Sequence, residues 1–148
     1  MLGIVITGHG HFATGLLSAL QLIAGDFPNV AAVDFELQNS IEELQENISR
    51  AVQSFQDCSS VIFFTDLLGG SPFRCSVLES GKAGASKVIA GANLPMVVEV
   101  LLARDSLELE ALQELALETG KQGIECFREA ARERKKAGRQ GFSDGRVL

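Results

Sequence analysis

The feature that most constrains this fold is a fourfold alternation of short apolar runs with amphipathic segments. The runs cover residues 2–7, 29–36, 60–66 and 87–91 and are rich in β-branched side chains, which is typical of buried strands. A segment with helical spacing of its apolar residues follows each run. Because strand–helix–strand units form parallel sheets with right-handed crossovers, we predict a single α/β domain with a doubly wound, mainly parallel four-stranded sheet and helices on both faces.

Capping residues and prolines set the expected helix boundaries. The predicted helices cover about 12–24, 41–55, 72–81, 95–103 and 105 towards 136. Ser40 and Glu43 form a capping box before the second helix, and Asp105 is the expected N-cap of the fifth. Gly120 and Gly123 each cost the fifth helix about 1 kcal/mol relative to alanine, so a bend or break is expected there. We expect the domain to span residues 1–136 and residues 137–148 to be a disordered basic tail.

Composition narrows the possible functions. The net charge of -6 argues against nucleic acid as a partner, because nucleic-acid binding needs a basic surface. Three widely spaced cysteines, Cys58, Cys75 and Cys126, suggest neither a disulfide framework nor a zinc site. The chain has no apolar run long enough to cross a bilayer and does not begin with a signal-peptide pattern. We therefore expect a cytoplasmic protein.

The position of the site follows from the expected topology. In open parallel sheets, ligands bind beyond the carboxyl ends of the strands, where the strand order reverses. His9 follows the first strand and Asp66 ends the third. If these strands are neighbours, Asp66 can accept the Nδ1–H of His9 and leave a bare Nε2 lone pair, which a nucleophilic histidine requires.

A phosphoryl group on His9 would need hydrogen-bond donors for its oxygens. The candidate phosphate-binding residues are Gly10 and His11 at one helix start and Gly69, Gly70 and Ser71 at another, through backbone amides and the serine hydroxyl. Phosphoryl transfer asks mainly for positioning and charge stabilisation. We therefore predict no metal and no cofactor.

Three stretches together resemble one known family. They are VITGHGHFATG, FFTDLLGGSPF and VIAGANLPMVVEVLLARD, and the likeness covers roughly residues 1–125. The family is the IIA domain of the mannose-family sugar phosphotransferase system (PTS), and the GGSPF and NLPM segments are the most specific part of the match. The resemblance implies that His9 is phosphorylated by the phosphocarrier protein HPr, that Asp66 orients it, and that Ser71 is the serine of the GGSP motif.

The same resemblance implies the partners. In this family the phosphohistidine donates its phosphoryl group to the IIB component during sugar uptake, and the IIA domain meets the membrane only indirectly, through the permease components. The TDLLGG wording and the basic C-terminal extension look most like the galactosamine and N-acetylgalactosamine branch. A homodimer is expected from the resemblance and from the apolar helix surface left over once a core of this size is filled.

Two other classes of function compete with this one. Gly8, Gly10 and Ala13 satisfy a loose dinucleotide fingerprint, and Glu36 ends the second strand where a ribose-binding acid would lie, so a small Rossmann-like module is the main alternative. A non-enzymatic regulatory binding module is the other. Binding of NAD(H) would favour the first alternative, and labelling by phosphorylated HPr would favour the transferase.

Several single residues also allow other roles. His11 lies two positions from His9 and could be the reacting histidine, or the two could hold a metal together with Asp66. Asp66 could be only a turn cap. Arg74 could contact a phosphate or an acidic partner, or simply lie in solvent.

Overall fold

The computed structural model describes residues 1–128, so the predicted tail and the expected end of the fifth helix lie outside the described residues. Four strands alternate with helices and a fifth helix follows. In chain order the elements are β1 (Leu2–His9), α1 (Phe12–Ala24), β2 (Val30–Phe35), α2 (Ile41–Gln53), β3 (Ser60–Thr65), α3 (Ser71–Ser80), β4 (Ala85–Ile89), α4 (Leu94–Ala103) and α5 (Leu109–Gln122).

The strands form one sheet in the order β2-β1-β3-β4, and every pair is parallel. The predicted α/β class is therefore confirmed, and β1 and β3 are neighbours, as a contact between His9 and Asp66 requires. From β1 the chain crosses to β2 on one side and then returns to β3 on the other. The strand order thus reverses between β1 and β3, and the crevice beyond their carboxyl ends is where a ligand is expected.

Side-chain alternation along the central strands divides the core into two layers. Ile4, Ile6 and Phe64 face one layer, which α1, α4 and α5 cover. Val5 and Phe63 face the opposite layer, which α2 and α3 cover. All five side chains are fully buried. Because β1 and β3 are enclosed on both faces, their sequences are nearly continuous apolar runs, which is typical of central parallel strands.

The fifth helix differs most from the prediction. Its first residue is Leu109, with Glu108 in the N-cap position. The predicted N-cap at Asp105 is wrong, because Asp105 belongs to the turn that ends α4, in which the Ser106 amide donates to the Ala103 carbonyl at 2.9 Å. β4 also lies at residues 85–89 rather than 87–91, two positions earlier than expected.

The two glycines of the fifth helix behave differently. Gly123 is the C-cap, so the predicted break is confirmed at that position. Gly120 lies inside the helix, where a Cβ atom would approach Met96 Cε to 2.4 Å. The glycine at 120 therefore permits close packing of α5 on α4. Residues 124–126 are not helical, and the rest of the predicted extension to 136 falls beyond residue 128.

A buried arginine ties the far end of the sheet together. Arg104, at the end of α4, donates from Nη1 to the carbonyls of Leu2 and Asn29 at 3.2 and 3.4 Å, and from Nη2 to that of Pro28 at 2.6 Å. Burial lowers the pKa of its guanidinium. These bonds hold α4 to the amino ends of β1 and β2, opposite the predicted site. No helix among residues 1–128 is long and apolar enough to cross a membrane.

Candidate functional site

His9 is the last residue of β1 and meets Asp66 just beyond the end of β3. The backbone amide of His9 donates to Asp66 Oδ2 at 2.8 Å, and the ring Nδ1 lies 2.9 Å from the same oxygen. The histidine side chain is 45% exposed and the aspartate side chain 17%. The structure thus brings these two predicted residues together, because parallel pairing of β1 with β3 aligns their carboxyl ends.

This contact fixes the chemical form of the imidazole. A carboxylate can only accept a hydrogen bond, so Nδ1 carries a hydrogen, and in the neutral ring Nε2 then presents its lone pair. Within residues 1–128, Nε2 has no hydrogen-bond partner. The second oxygen of Asp66, Oδ1, is buried and likewise has no partner there. The ring is therefore held through Nδ1, in a side chain that is 45% exposed.

Two glycines allow this close approach. A Cβ atom on Gly8 would lie 2.5 Å from Phe12 Cδ2 and 2.9 Å from Asp66 Cγ. A Cβ atom on Gly70 would lie 2.8 Å from His9 Cε1. At either position an added Cβ atom would force a neighbouring group to move, because real Cβ contacts this short do not occur. The Gly70 backbone therefore packs directly against the imidazole.

The amides predicted to bind phosphate fall into two groups. The Gly10 amide already donates to the Phe35 carbonyl at 2.8 Å, and the Gly70 amide donates to the Leu67 carbonyl at 3.1 Å. The amides of His11, Gly69 and Ser71 make no hydrogen bond to any residue of the described part. Ser71 is the first residue of α3 and Gly70 its N-cap, so the helix presents its positive end at this loop.

His11 makes a different contact from His9. Its Nε2 lies 3.0 Å from Glu36 Oε1, and its side chain is 72% exposed. The hydrogen bond to Glu36, followed by the charges of Glu36 and Asp34, raises the pKa of His11. His9, His11 and Asp66 therefore do not converge as a metal-ligand set. Potential ligand atoms of His11, Asp34 and Glu36 lie within 4.8 Å of one another, but hydrogen bonds already engage all three side chains.

Sequence reasoning missed Asp34 at this end of the sheet and did not foresee the contact that Arg74 makes. Asp34 of β2 accepts the Thr14 amide at 3.0 Å and its hydroxyl at 2.7 Å, so it caps the start of α1 from another element. Arg74 of α3 donates from Nε to the Gly69 carbonyl at 2.9 Å. The aspartate lies two positions before Glu36, but nothing in the local pattern indicates a partner 20 residues away.

An apolar groove adjoins the aspartate. It has a volume of about 590 Å³ and lies beside the ends of β3 and β4. Leu67, Leu68, Phe73 and Leu117 contribute to its lining, and Leu68 is 74% exposed. The exposed imidazole nitrogen therefore lies near a surface of mixed polar and apolar character, a combination found in protein interfaces.

Comparisons with known proteins agree on one family. Residues 3–117 match the family model EIIA-man, described as the PTS system fructose IIA component. The chain is 34% identical over 128 residues to the PTS system mannose-specific EIIAB component of Escherichia coli K12, covering 86% of this chain but only 40% of that relative. It is 32% identical over 112 residues to the PTS system fructose-specific EIIA component of Bacillus subtilis, covering 76% and 77% of the two chains.

A solved structure agrees with these matches. The phosphotransferase system component EIIA from Streptococcus agalactiae superposes with a TM-score of 0.80 at 33% identity, covering 87% of this chain and 99% of that one. The chain belongs to the mannose-type family of PTS IIA components, whose members are phosphotransferase components of sugar uptake systems. The dinucleotide-binding alternative is not favoured, since the match includes both loops of the site.

Proposed function

We propose that this chain is the phosphoryl-carrier IIA component of a sugar PTS and that His9 Nε2 is its acceptor atom. The observation that carries the proposal is the 2.9 Å contact between His9 Nδ1 and Asp66 Oδ2. It directs the lone pair of Nε2 outward, in a side chain that is half exposed. The donor is phosphorylated HPr, and the next acceptor is a histidine of the IIB component.

The transfer needs little from the protein beyond this orientation. The Nε2 lone pair attacks phosphorus, the phosphorus–nitrogen bond of the donor phosphohistidine breaks, and the donor ring keeps that electron pair. No base is needed, because Nε2 carries no hydrogen. The His9 ring gains positive charge as the new bond forms, and the adjacent Asp66 carboxylate stabilises it. Passage to IIB follows the same chemistry with His9 as donor: the acceptor nitrogen of IIB attacks phosphorus, the bond between phosphorus and His9 Nε2 breaks, and the His9 ring keeps that electron pair.

Donors for the phosphoryl oxygens are available in the loops that follow β1 and β3. The amides of His11, Gly69 and Ser71 have no partner within residues 1–128 and can bind the oxygens, together with the Ser71 hydroxyl. The positive end of α3 adds to their effect. The backbones of Gly10 and Gly70 contribute by shaping the two turns, since their own amides bond to carbonyls of the fold.

Replacing each histidine tests the acceptor. We expect His9→Ala to abolish labelling by phosphorylated HPr and His11→Ala to retain it, because His11 is bonded to Glu36 whereas His9 Nε2 has no partner within residues 1–128. The label should disappear on brief acid treatment, which distinguishes a phosphohistidine from a phosphoserine at Ser71. Equal labelling of the two variants would refute the assignment.

Replacing the aspartate tests its charge. Asp66→Asn keeps a hydrogen-bond acceptor but loses the charge that stabilises the phosphorylated ring. Loss of a charge-assisted hydrogen bond costs about 1.5 to 3 kcal/mol, so single-turnover transfer should slow roughly 10- to 100-fold while thermal melting is nearly unchanged. Asp66→Ala should be slower still, because the ring is then free to rotate. Wild-type rates in both folded variants would reduce Asp66 to a turn cap.

The proposal also covers the sugar branch, the cellular compartment and the bounds of the domain. The TDLLGG wording supports the galactosamine or N-acetylgalactosamine branch, in a cytoplasmic protein whose domain comprises residues 1–136. Relatives are named for mannose, fructose and sorbose, so the branch has to be measured. Phosphoryl transfer from the labelled chain to purified IIB components of each sugar type should be fastest with the amino-sugar type. Faster transfer to a mannose-type or fructose-type IIB would contradict the branch.

A homodimer is also proposed. Leu117, Ile124 and Phe127 are 40%, 76% and 81% exposed, and they lie along or just after α5. A second copy that covers this apolar surface would remove it from water. Light scattering at micromolar concentration should give twice the mass of the chain. A mass near 15.8 kDa would contradict the dimer.

A further inference from the structure

Arg74 makes one contact that is not expected of a solvated helix residue. It lies in the first turns of α3 and is exposed, yet its Nε donates to the Gly69 carbonyl at 2.9 Å. It forms no ion pair with any Asp or Glu of residues 1–128. Its hydrogen-bonding nitrogen is thus directed at the loop that carries the site.

That loop is held at several points. Gly69 has a φ of +82°, which only glycine adopts readily. The amide of Gly70 donates to the Leu67 carbonyl at 3.1 Å, and the amide of Arg74 donates to the Gly70 carbonyl at 2.9 Å. The contact from Arg74 Nε fixes the remaining carbonyl of the glycine pair. The Gly69–Gly70 turn is therefore bound to α3 by both the backbone and the side chain of one residue.

The Gly69–Gly70 turn also contacts the imidazole of His9. Gly70 packs so closely on the ring that a Cβ atom there would lie 2.8 Å from Cε1 and 3.4 Å from Nε2 of His9. Asp66 holds the same ring at its Nδ1 atom, which lies 2.9 Å from Asp66 Oδ2. A shift of the turn therefore changes the space available to the reactive edge of the ring.

We propose that Arg74 is a positioning residue: its Nε–H holds the Gly69–Gly70 turn against His9 and so keeps Nε2 in its reactive orientation. The proposal rests on the proposed function of His9 as the phosphoryl acceptor. The part of the side chain that matters is the N–H donor at the ε position. The positive charge of Arg74 is not what the turn uses.

Three substitutions separate the donor from the charge. Arg74→Gln places an amide nitrogen at the position of Nε and removes the charge. Arg74→Lys keeps the charge but has carbon at that position. Arg74→Met has similar length and neither property. Arg50→Met is the matched control: Arg50 is an exposed arginine on α2 whose side chain, among residues 1–128, bonds to Asn47 of its own helix.

Single-turnover transfer from phosphorylated HPr is the first measurement. The net contribution of one intramolecular hydrogen bond corresponds to about a 3- to 10-fold change in rate. We expect Arg74→Lys and Arg74→Met to slow transfer by that factor at saturating donor, and Arg74→Gln and Arg50→Met to transfer at the wild-type rate. Retention in Arg74→Lys with loss in Arg74→Gln would show that the charge matters, and would overturn the proposal. So would equal rates in all three variants.

Nitrogen chemical shifts of the His9 ring provide a second measurement that needs no donor protein. In Arg74→Lys and Arg74→Met we expect the Nδ1 and Nε2 shifts to move towards those of a tautomer mixture, with wild-type shifts in Arg74→Gln. Unchanged shifts in all variants would overturn the positioning role. Failure of the wild-type chain to be labelled by phosphorylated HPr would instead refute the proposed function, and the ring shifts would still test the contact between Arg74 and the turn.

Discussion

Adding one methyl group at Gly70 should displace the reactive imidazole without disturbing the fold. Gly70 has φ -72° and ψ 170°, a conformation that alanine adopts freely, so the backbone tolerates Gly70→Ala. The new Cβ would lie 2.8 Å from His9 Cε1, whereas ordinary contact begins at 3.4 Å, so the ring or the turn must move by about 0.6 Å. A movement of that size is enough to spoil the 2.9 Å hydrogen bond to Asp66.

The expected cost follows from that bond. Loss of a hydrogen bond to a charged group costs about 1.5 to 3 kcal/mol, so single-turnover transfer from phosphorylated HPr should fall roughly 10- to 100-fold. The unfolding free energy, measured by urea titration, should change by less than about 1 kcal/mol, since the ring is half exposed and can yield.

Gly15→Ala is the matched control, because no atom lies within 4 Å of a Cβ at that position and the residue is inside α1. It should stabilise the protein by about 0.5 to 1 kcal/mol and leave transfer unchanged. Wild-type transfer in a folded Gly70→Ala variant would show that the turn gives way, and that its packing does not constrain His9.

Three further changes test the scaffold around the site. Arg104→Met should destabilise the fold by about 2 to 4 kcal/mol in urea titration, because three backbone carbonyls lose their buried donor, whereas the exposed Arg50→Met should cost less than about 0.5 kcal/mol. Ser40→Ala should cost about 1 kcal/mol through loss of the capping box of α2, and an unchanged melting temperature would argue against it. Glu36→Gln should lower the pKa of His11 in an NMR titration, because its carboxylate is the main cause of the raised value. Since the pKa of His11 is higher in the folded state, its pair with Glu36 stabilises the fold below pH 6.5, the pKa of the unfolded state. This contribution is lost as pH rises through the folded pKa. A stability difference between wild type and Glu36→Gln that grew with pH would contradict this sign.

The sequence by itself determined the class of fold and placed His9 and Asp66 at the carboxyl ends of two strands. Only the folded sheet decided that these two strands are neighbours. The class of fold and the strand ends follow from strand and helix periodicity, a rule that acts along the chain. The capping box at Ser40 and the helix end at Gly123 were readable for the same reason, because each involves residues within one helical turn. The family motifs added the expected roles of these residues.

The tertiary structure decided which polar groups are still free to act. Gly10 and His11 follow His9 directly, yet a carbonyl of β2 engages the amide of Gly10, and Glu36, 25 positions away, engages the ring of His11. Arg104 binds a carbonyl 102 positions from it. Each of these hydrogen bonds joins groups that are brought together only when the strands pair and the helices pack on the sheet. Local periodicity can place a residue at a strand end, but the partner that satisfies its polar atoms is set by packing in three dimensions.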